Sequence, residues 1–403
     1  MPDNSHSRTV ITARRIEANV PRSLRRFLAL EDFEPVARRH LPRQIYGYYA
    51  GAAETNAAHA GNSRALAALG LVPRVLVDTR ARSTRHALFG HAYSLPVGIA
   101  PMGLSGLATF EGDLALAKAA AVEGALMVAS ATSLMPLERL AEEGKACWFQ
   151  TYLPGEPERI RRMVARVAAA GYETLVLTAD VPVAANRENN ARTGFSAPLK
   201  PSLRLFWDGI THPSWSLGTF ARTLASGMPR FENMDAFRGP TLLSRNAVRD
   251  IGARDGLDWS HLDLIRQLWP GRLVVKGILA PEDVTIARER GVDGVWISNH
   301  GGRQLDTAIA PMSVLREAVS AAGGMAVLID GGFRRGTDVL KALALGADFV
   351  FVGRPFLFAA AVGGERGIRH AFGLLQAEIA RNMAMLGVSR LDELQPMHVR
   401  AVG

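Results

Sequence analysis

The sequence predicts an α/β protein, a (β/α)8 TIM barrel, from two observations. Eight short apolar runs rich in β-branched residues recur, most followed by a stretch with apolar residues at three- and four-residue spacing. A polar residue, a proline or a glycine stands at or just past the C-terminal end of each run, and in a barrel those ends form one mouth. A doubly wound open sheet is the competing arrangement of the same pattern.

The runs are LPVGIA, ALMVAS, CWFQ, TLVLTA, LVVKG, GVWISN, AVLID and DFVFVG. Their ends carry, in order, Pro101, Ser130, Gln150, Thr178 with Asp180, Lys276, His300, Asp330 and Gly353. Any one of these would pass for a cap or a turn; their common phase argues for a shared site. Most runs are twenty or thirty residues apart, but nearly a hundred separate the fourth from the fifth, so an insertion is expected at about 189–255. Within it, Leu203 to Phe231 mixes Phe206, Trp207, Trp215 and Phe220 with Arg204, Arg222 and Arg230. That composition suits an active-site lid, an interfacial membrane anchor or an ordinary helical excursion packed on the barrel.

Ahead of the barrel a helical segment is expected, and the start, MPDNSHSRTVITARR, lacks the apolar core of a secretory signal. Residues 1–30 are read as flexible and 31–403 as the barrel domain. With 403 residues, 48% hydrophobic and 21% charged, the composition excludes a disordered or collagen-like chain. A single cysteine, Cys147, excludes an intrachain disulfide and a cysteine-rich zinc module and points to a reducing compartment. No uninterrupted apolar stretch reaches the roughly eighteen residues of a membrane span. The net charge of +9 suits anionic partners, but the best-placed arginines sit at the mouth rather than in a separate basic run, so nucleic acid is not expected.

SNHGGRQLD, Ser298 to Asp306, places His300 and Arg303 in a glycine-loosened turn after the sixth run. A lone histidine is usually structural; here the glycines allow close approach of a ligand, imidazole exchanges protons near neutral pH, and Arg303 offers a fork for a carboxylate or phosphate. Asp180 is the candidate carboxylate partner, with a turn cap before Pro182 as its plain alternative; Arg187 follows in the same loop. IDGGFRRGTDVLKALALGADFVFVGRPF, Ile329 to Phe356, supplies Gly331, Gly332, Gly353, Arg334 and Arg354, the hardware of a barrel phosphate site. No G-x-G-x-x-G follows a strand, no P-loop occurs, and the histidines are scattered. FMN therefore fits better than NAD, and no catalytic metal is expected.

With these residues in hand the chain resembles the FMN-dependent L-2-hydroxy acid oxidising family, through LPRQIYGYY at 41–49, IAPMG at 99–103, WFQTYL at 148–153, LTADVPVAANRENNAR at 177–192, VVKGI at 274–278, SNHGGRQLD and DGGFRRGTDVLKALALGA at 330–347. The resemblance implies His300 as the base, Asp180 as the carboxylate supporting its cation, and Arg187 and Arg303 beside the substrate carboxylate. It also implies Tyr48 and Tyr152 as substrate hydrogen-bond partners, and Lys276 near flavin N1 and O2. Pro101, Met102, Gly103, Ser130, Gln150, Thr178 and Ser298 would contact the flavin ring, and Asp330, Gly332, Arg334, Gly353 and Arg354 the ribityl phosphate.

Two departures stand out. Ala52 replaces a usual glycine after Tyr48, and Gly103 stands where oxidases of the family commonly carry alanine. Gly103 and the WDGITHPSWSL segment point to the mandelate and lactate dehydrogenase branch, and Thr132, where glycolate oxidase has tryptophan, leaves room for a larger acid. The resemblance thus implies oxidation of L-lactate or (S)-mandelate-like acids, electrons passing to a quinone or other acceptor, a homotetramer, and a cytoplasmic location peripheral on the inner membrane face through about 200–231. An oxidase making peroxide and a non-catalytic flavin-binding protein are the alternatives.

Overall fold

The computed structural model describes residues 20–145, 148–196, 203–242, 244 and 254–402. Cys147, residues 1–19 of the expected flexible start, and 197–202, 243 and 245–253 of the expected insertion lie outside the described residues. The strands expected from the apolar runs are Val97–Ile99 (β1), Leu126–Ser130 (β2), Trp148–Thr151 (β3), Thr174–Thr178 (β4), Arg272–Ile278 (β5), Gly294–Ile297 (β6), Ala326–Asp330 (β7) and Phe349–Val352 (β8). They close into one parallel barrel in the order β7-β8-β1-β2-β3-β4-β5-β6, which excludes the open sheet. Helices Gly112–Val122 (α1), Leu137–Gly144 (α2), Pro157–Ala169 (α3), Trp259–Leu268 (α4), Pro281–Glu289 (α5), Pro311–Ala322 (α6), Gly336–Ala344 (α7) and Arg354–Leu386 (α8) follow the strands in turn.

Strand side chains alternate between two faces, and here both are buried. Val128, Trp148, Val176, Val274, Trp296, Leu328 and Phe351 point inward and fill the barrel as one cluster, with Trp296 and Phe351 stacked at 3.9 Å between centroids. Their neighbours Ala129, Phe149, Leu175, Val275, Ile297, Ile329 and Val352 face the helices and join the second, larger core. Two residues beyond each inward side chain the same face reappears at the mouth, now as Ser130, Gln150, Thr178, Lys276, Ser298, Asp330 and Gly353. Pairings Ser130 with Gln150 and Thr178 with Lys276 keep neighbouring strands level there. The opposite end is plugged by the hairpin His86–Leu88 and His91–Tyr93, whose Leu88 and Tyr93 join the inner cluster.

Within the expected flexible start, the described residues from 20 to 30 are packed. Leu24, Phe27 and Leu30 are buried, Phe27 stacks on Phe33 at 4.4 Å, and the Phe27 carbonyl bonds to Nε2 of His370 on α8 at 2.9 Å. Apolar contacts thus hold this segment before the helices Phe33–His40, Arg43–Ala50 and Ala57–Ala67 begin. In the insertion, helix Leu203–Thr211 leads through Pro213–Trp215 and a π-helical turn, Ser216–Ala221, to Arg222–Ala225. Trp215 ties it down: the indole is buried and its Nε1 donates to the Leu107 carbonyl at 2.8 Å. Arg222 lies 4.2 Å from the Phe110 ring centroid, while Leu203, Phe206, Trp207, Ile210 and Leu217 face outward and exposed.

Candidate active site

The mouth opens into a cleft of about 1250 Å³, including the part open to solvent. Its floor is the ring of strand ends: Ser130, Gln150, Thr178, Lys276 and Asp330, with Pro101, Met102 and Gly103 following β1. Tyr48 from helix Arg43–Ala50, Tyr152, Arg187, His300 and Arg303 line one part. Gly332, Arg334, Gly353 and Arg354 line another. Two candidates stand behind the lining and reach it through others. Asp180 is bonded to His300, and the Ser298 hydroxyl accepts from Lys276 at 2.9 Å and donates to Asp330 at 2.7 Å.

His300 sits in a left-handed conformation, φ +56°, that turns its ring back toward β4. Its Nδ1 lies 3.0 Å from Oδ1 of Asp180, and its main-chain N–H donates to the Ser298 hydroxyl at 3.0 Å. With Nδ1 donating to a carboxylate, Nε2 is left with a lone pair. A bulge at Gly277 makes this approach feasible: its φ is +104°, and a Cβ there would lie 2.5 Å from that of Asp180. Burial pushes His300 below the usual imidazole range, helped by Lys276 and Arg187, and Asp180 offsets this only in part. Burial alone would raise Asp180, but His300 and Lys276 together hold its carboxyl below the usual range. The pair therefore rests as carboxylate and neutral imidazole. Burial opposes the charge on Lys276, and the carboxylates of Asp330, 3.1 Å away, and Asp180 outweigh it and keep the ammonium protonated.

Arg303 is fixed by the carbonyls of Tyr48, Tyr49 and Gly51, at 2.9, 3.2 and 2.5 Å, and its guanidinium lies 5.1 Å from the Tyr48 ring centroid. Arg187 donates to the Arg303 carbonyl at 3.3 Å and to Gln304 at 3.1 Å. The departure at Ala52 leaves the loop tied in: Ala52 N–H donates to Asn56 at 3.0 Å and Ala53 N–H to the Gly302 carbonyl at 2.9 Å. Gly103 is crowded, since a Cβ there would lie 2.1 Å from the Thr132 hydroxyl.

The other part of the cleft is electropositive. Burial and the neighbouring Arg334 push Arg354 down to about 10, and burial lowers Arg334 too. His59, on helix Ala57–Ala67, reports the same field: burial, then Arg354, Arg334 and Arg303, bring it down to about 3. Gly331 and Gly332, at φ +108° and +87°, line this end and precede α7 in the chain. Two partly buried guanidiniums lining the same end of the cleft call for an anion. On the floor, Gln150 Nε2 and Thr178 Oγ1 are buried without a partner and suit the polar edge of a flat ring. These residues fit FMN: Asp330, Gly332, Arg334, Gly353 and Arg354 would hold its ribityl phosphate, and the floor its ring.

Sequence reasoning missed Met234 and Arg254, which reach the cleft from the insertion. Neither lies at the end of a periodic run, so only the folded return of the insertion brings them in. It also missed Tyr49, buried with its hydroxyl donating to the Leu104 carbonyl at 2.7 Å. Among the described residues no group of histidine, cysteine and acidic side chains could hold a metal.

Residues 37–401 match the family model described as FMN-dependent dehydrogenase. The (S)-mandelate dehydrogenase of Pseudomonas putida is 39% identical over 375 residues, 93% of this chain and 94% of that one. The L-lactate dehydrogenase of Caulobacter sp. (strain K31) is 36% identical over 369 residues, 90% and 96% of the two chains. Among solved structures, that of the monotopic membrane protein (S)-mandelate dehydrogenase superposes with a TM-score of 0.84 at 37% identity, covering 94% of this chain and all 100% of that one.

Proposed function

The chain belongs to the FMN-dependent dehydrogenase family, and on that premise we propose that it oxidises an L-2-hydroxy acid, R–CHOH–COO⁻, to the 2-oxo acid, with L-lactate and (S)-mandelate-like acids as substrates. The observation that carries the reading is the His300–Asp180 pair, 3.0 Å apart in a cleft that also holds Arg187, Arg303 and Lys276. Arg187 and Arg303 bind the substrate carboxylate and so orient the carbinol toward Nε2 of His300. Nε2 takes the hydroxyl proton, and Asp180 stabilises the imidazolium that results. Tyr48 and Tyr152 hydrogen-bond the substrate. FMN, when bound, supplies the two-electron acceptor for the Cα–H bond. Lys276, kept charged by its carboxylate neighbours, places a positive charge at the floor where negative charge gathers on reduction.

The test is anaerobic mixing of the yellow protein with each enantiomer of lactate, mandelate and glycolate, followed in the visible flavin band. Bleaching by an L-acid is expected, and loss of bleaching with retained FMN is expected for His300→Gln. A yellow protein that no acid bleaches would leave a non-catalytic flavin-binding protein as the better reading. Recovery on admitting air separates the acceptors: slow recovery fits transfer to a quinone, for which Gly103 argues, and fast recovery with peroxide fits an oxidase.

The reading includes peripheral contact with the inner membrane face through the insertion. Its support is the exposed row of Leu203, Phe206, Trp207, Ile210 and Leu217, backed by a buried anchor at Trp215. No described helix is long and apolar enough to cross a membrane. A homotetramer completes the reading; exposed Val75 and Leu76 offer apolar surface for contact between copies, and native mass checks it.

A further inference from the structure

The histidine of the site stands in a strained stretch of chain. His300, Gly301 and Gly302 follow one another in the left-handed region, at φ +56°, +62° and +75°. Glycine takes up that conformation freely and histidine does not, so His300 keeps its setting only where surrounding bonds impose it. Asn299, the residue before it, supplies such bonds. Its Oδ1 accepts from the Gly302 N–H at 3.1 Å and from Nδ2 of Asn62 at 2.9 Å. Its Nδ2 donates to Oδ1 of Asn62 at 2.7 Å and to the Ile309 carbonyl at 3.3 Å. Both hydrogens and both acceptor directions of the amide are used. The Gly302 N–H and the Ile309 carbonyl fix which end of Asn299 is oxygen, and that fixes Asn62 in turn. Asn62 and Asn299 are 1% and 4% exposed, and neither lines the cleft.

Asn62 belongs to helix Ala57–Ala67, ahead of the barrel in the chain, and that end of the chain is pressed against two loops of the site. A Cβ on Gly302 would lie 2.4 Å from the main-chain nitrogen of His59, and Asp306 accepts from the N–H groups of Thr55 and Ala58 at 2.9 and 3.2 Å. In the glycine loop after β7, a Cβ on Gly331 would lie 3.2 Å from Nδ2 of Asn62, and one on Gly332 would lie 3.0 Å from its Cβ. Asn62 therefore touches the loop of the base and the loop of the phosphate end at once. Bonds of this kind, outside the reacting groups, are what hold a catalytic constellation to its geometry.

We propose that Asn62 and Asn299 are positioning residues: their paired amides hold the left-handed turn at His300 and so keep its Nδ1 on Asp180 and its Nε2 free to take the substrate proton. The kinetic effect rests on the proposed oxidation, whereas the His300–Asp180 hydrogen bond that the pair maintains is observable without turnover.

The experiment compares the native full chain with Asn62→Ala, both saturated with FMN, by two readouts. The first is anaerobic stopped-flow reduction by whichever of L-lactate and (S)-mandelate bleaches the native flavin faster. In Asn62→Ala the limiting rate is expected to fall on the order of tenfold to a hundredfold, the cost of misplacing a reacting group by about 1 Å, while the half-saturating acid concentration changes by less than about twofold. Binding is spared because Arg303 is held by the carbonyls of Tyr48, Tyr49 and Gly51 and not by this pair. The second readout is proton NMR with isotope-labelled histidine. The Nδ1–H resonance of His300, identified by its absence in His300→Gln, is expected to broaden or vanish in Asn62→Ala. Asn62→Asp still accepts from Asn299 but cannot donate to it, and should lose less of both. A native limiting rate and a native resonance in the loaded Ala variant, with the loss confined to melting temperature or FMN retention, would overturn the proposal. So would a raised half-saturating concentration at an unchanged limiting rate. If no acid bleaches the native flavin, the proposed oxidation fails and the resonance alone decides the positioning. Should Asn62→Ala not fold, Asn62→Asp decides by the same two readouts, a slowed rate and a broadened resonance supporting the proposal and native values of both overturning it.

Discussion

Asp180 and His300 share one hydrogen bond, and their charge states follow from what surrounds them. The base is competent only while His300 is neutral, and burial with Lys276 and Arg187 holds its pKa below 6.5. Reduction should therefore stay fast at neutral pH and fall as pH drops through a value below 6.5. Asp180 is the group that raises that pKa, so Asp180→Asn is expected to move the acid limb further down. The same change should slow flavin reduction on the order of a hundredfold or more, because the imidazolium loses its counter-charge. Stopped-flow pH profiles check both, and a limb that moves upward would contradict the assignment. At Gly103 the issue is space. A methyl group would meet the Thr132 hydroxyl, itself bonded to Ser130 at 3.0 Å. Gly103→Ala is expected to destabilise by about 1–3 kcal/mol, and the double change with Thr132→Ala to recover most of that in thermal melts.

At the scale of elements, the barrel was legible because each strand is a short apolar run with a distinctive last residue, and both properties are local. Ser130, Gln150, Thr178, Lys276 and Asp330 could be placed at one mouth from the sequence, since strand alternation and barrel closure leave few other places for them. Arg254 and Met234 could not, because their position depends on how the insertion folds back, a matter of long-range packing. Nor could the packing of Leu24 and Phe27, which contact with α8 decides. The insertion itself divides its two faces: Trp215 and Arg222 dock on the barrel, while Phe206 and Trp207 do not. Phe206→Ser with Trp207→Ser is expected to lower cosedimentation with anionic vesicles severalfold and leave the melting temperature within about 1 °C, as surface changes do. An unaltered distribution between pellet and supernatant would remove this helix as the contact.

For the whole molecule, the cofactor is part of the charge balance. Stripped of FMN, the chain keeps Arg334 and Arg354, both partly buried, at the same end of the cleft, with Arg354 pushed down to about 10. The apoprotein should melt several degrees lower, and inorganic phosphate or sulfate at millimolar levels should restore part of the difference while chloride at matched ionic strength should not. Calorimetry of apo and loaded protein in each salt measures this; equal effects of all three salts would speak against a phosphate seat at these arginines.

The two-residue interval between the inner core and the mouth has a hereditary consequence. Trp148 and Gln150, or Val274 and Lys276, are the same face of one strand at successive levels, so a codon gained or lost within a strand would turn the chemical residue outward and a helix-facing one inward in a single event. Substitution can rewrite the mouth one letter at a time while the level beneath stays packed. Change in length is confined to the loops between strands, and the longest of these in this chain lies between β4 and α4.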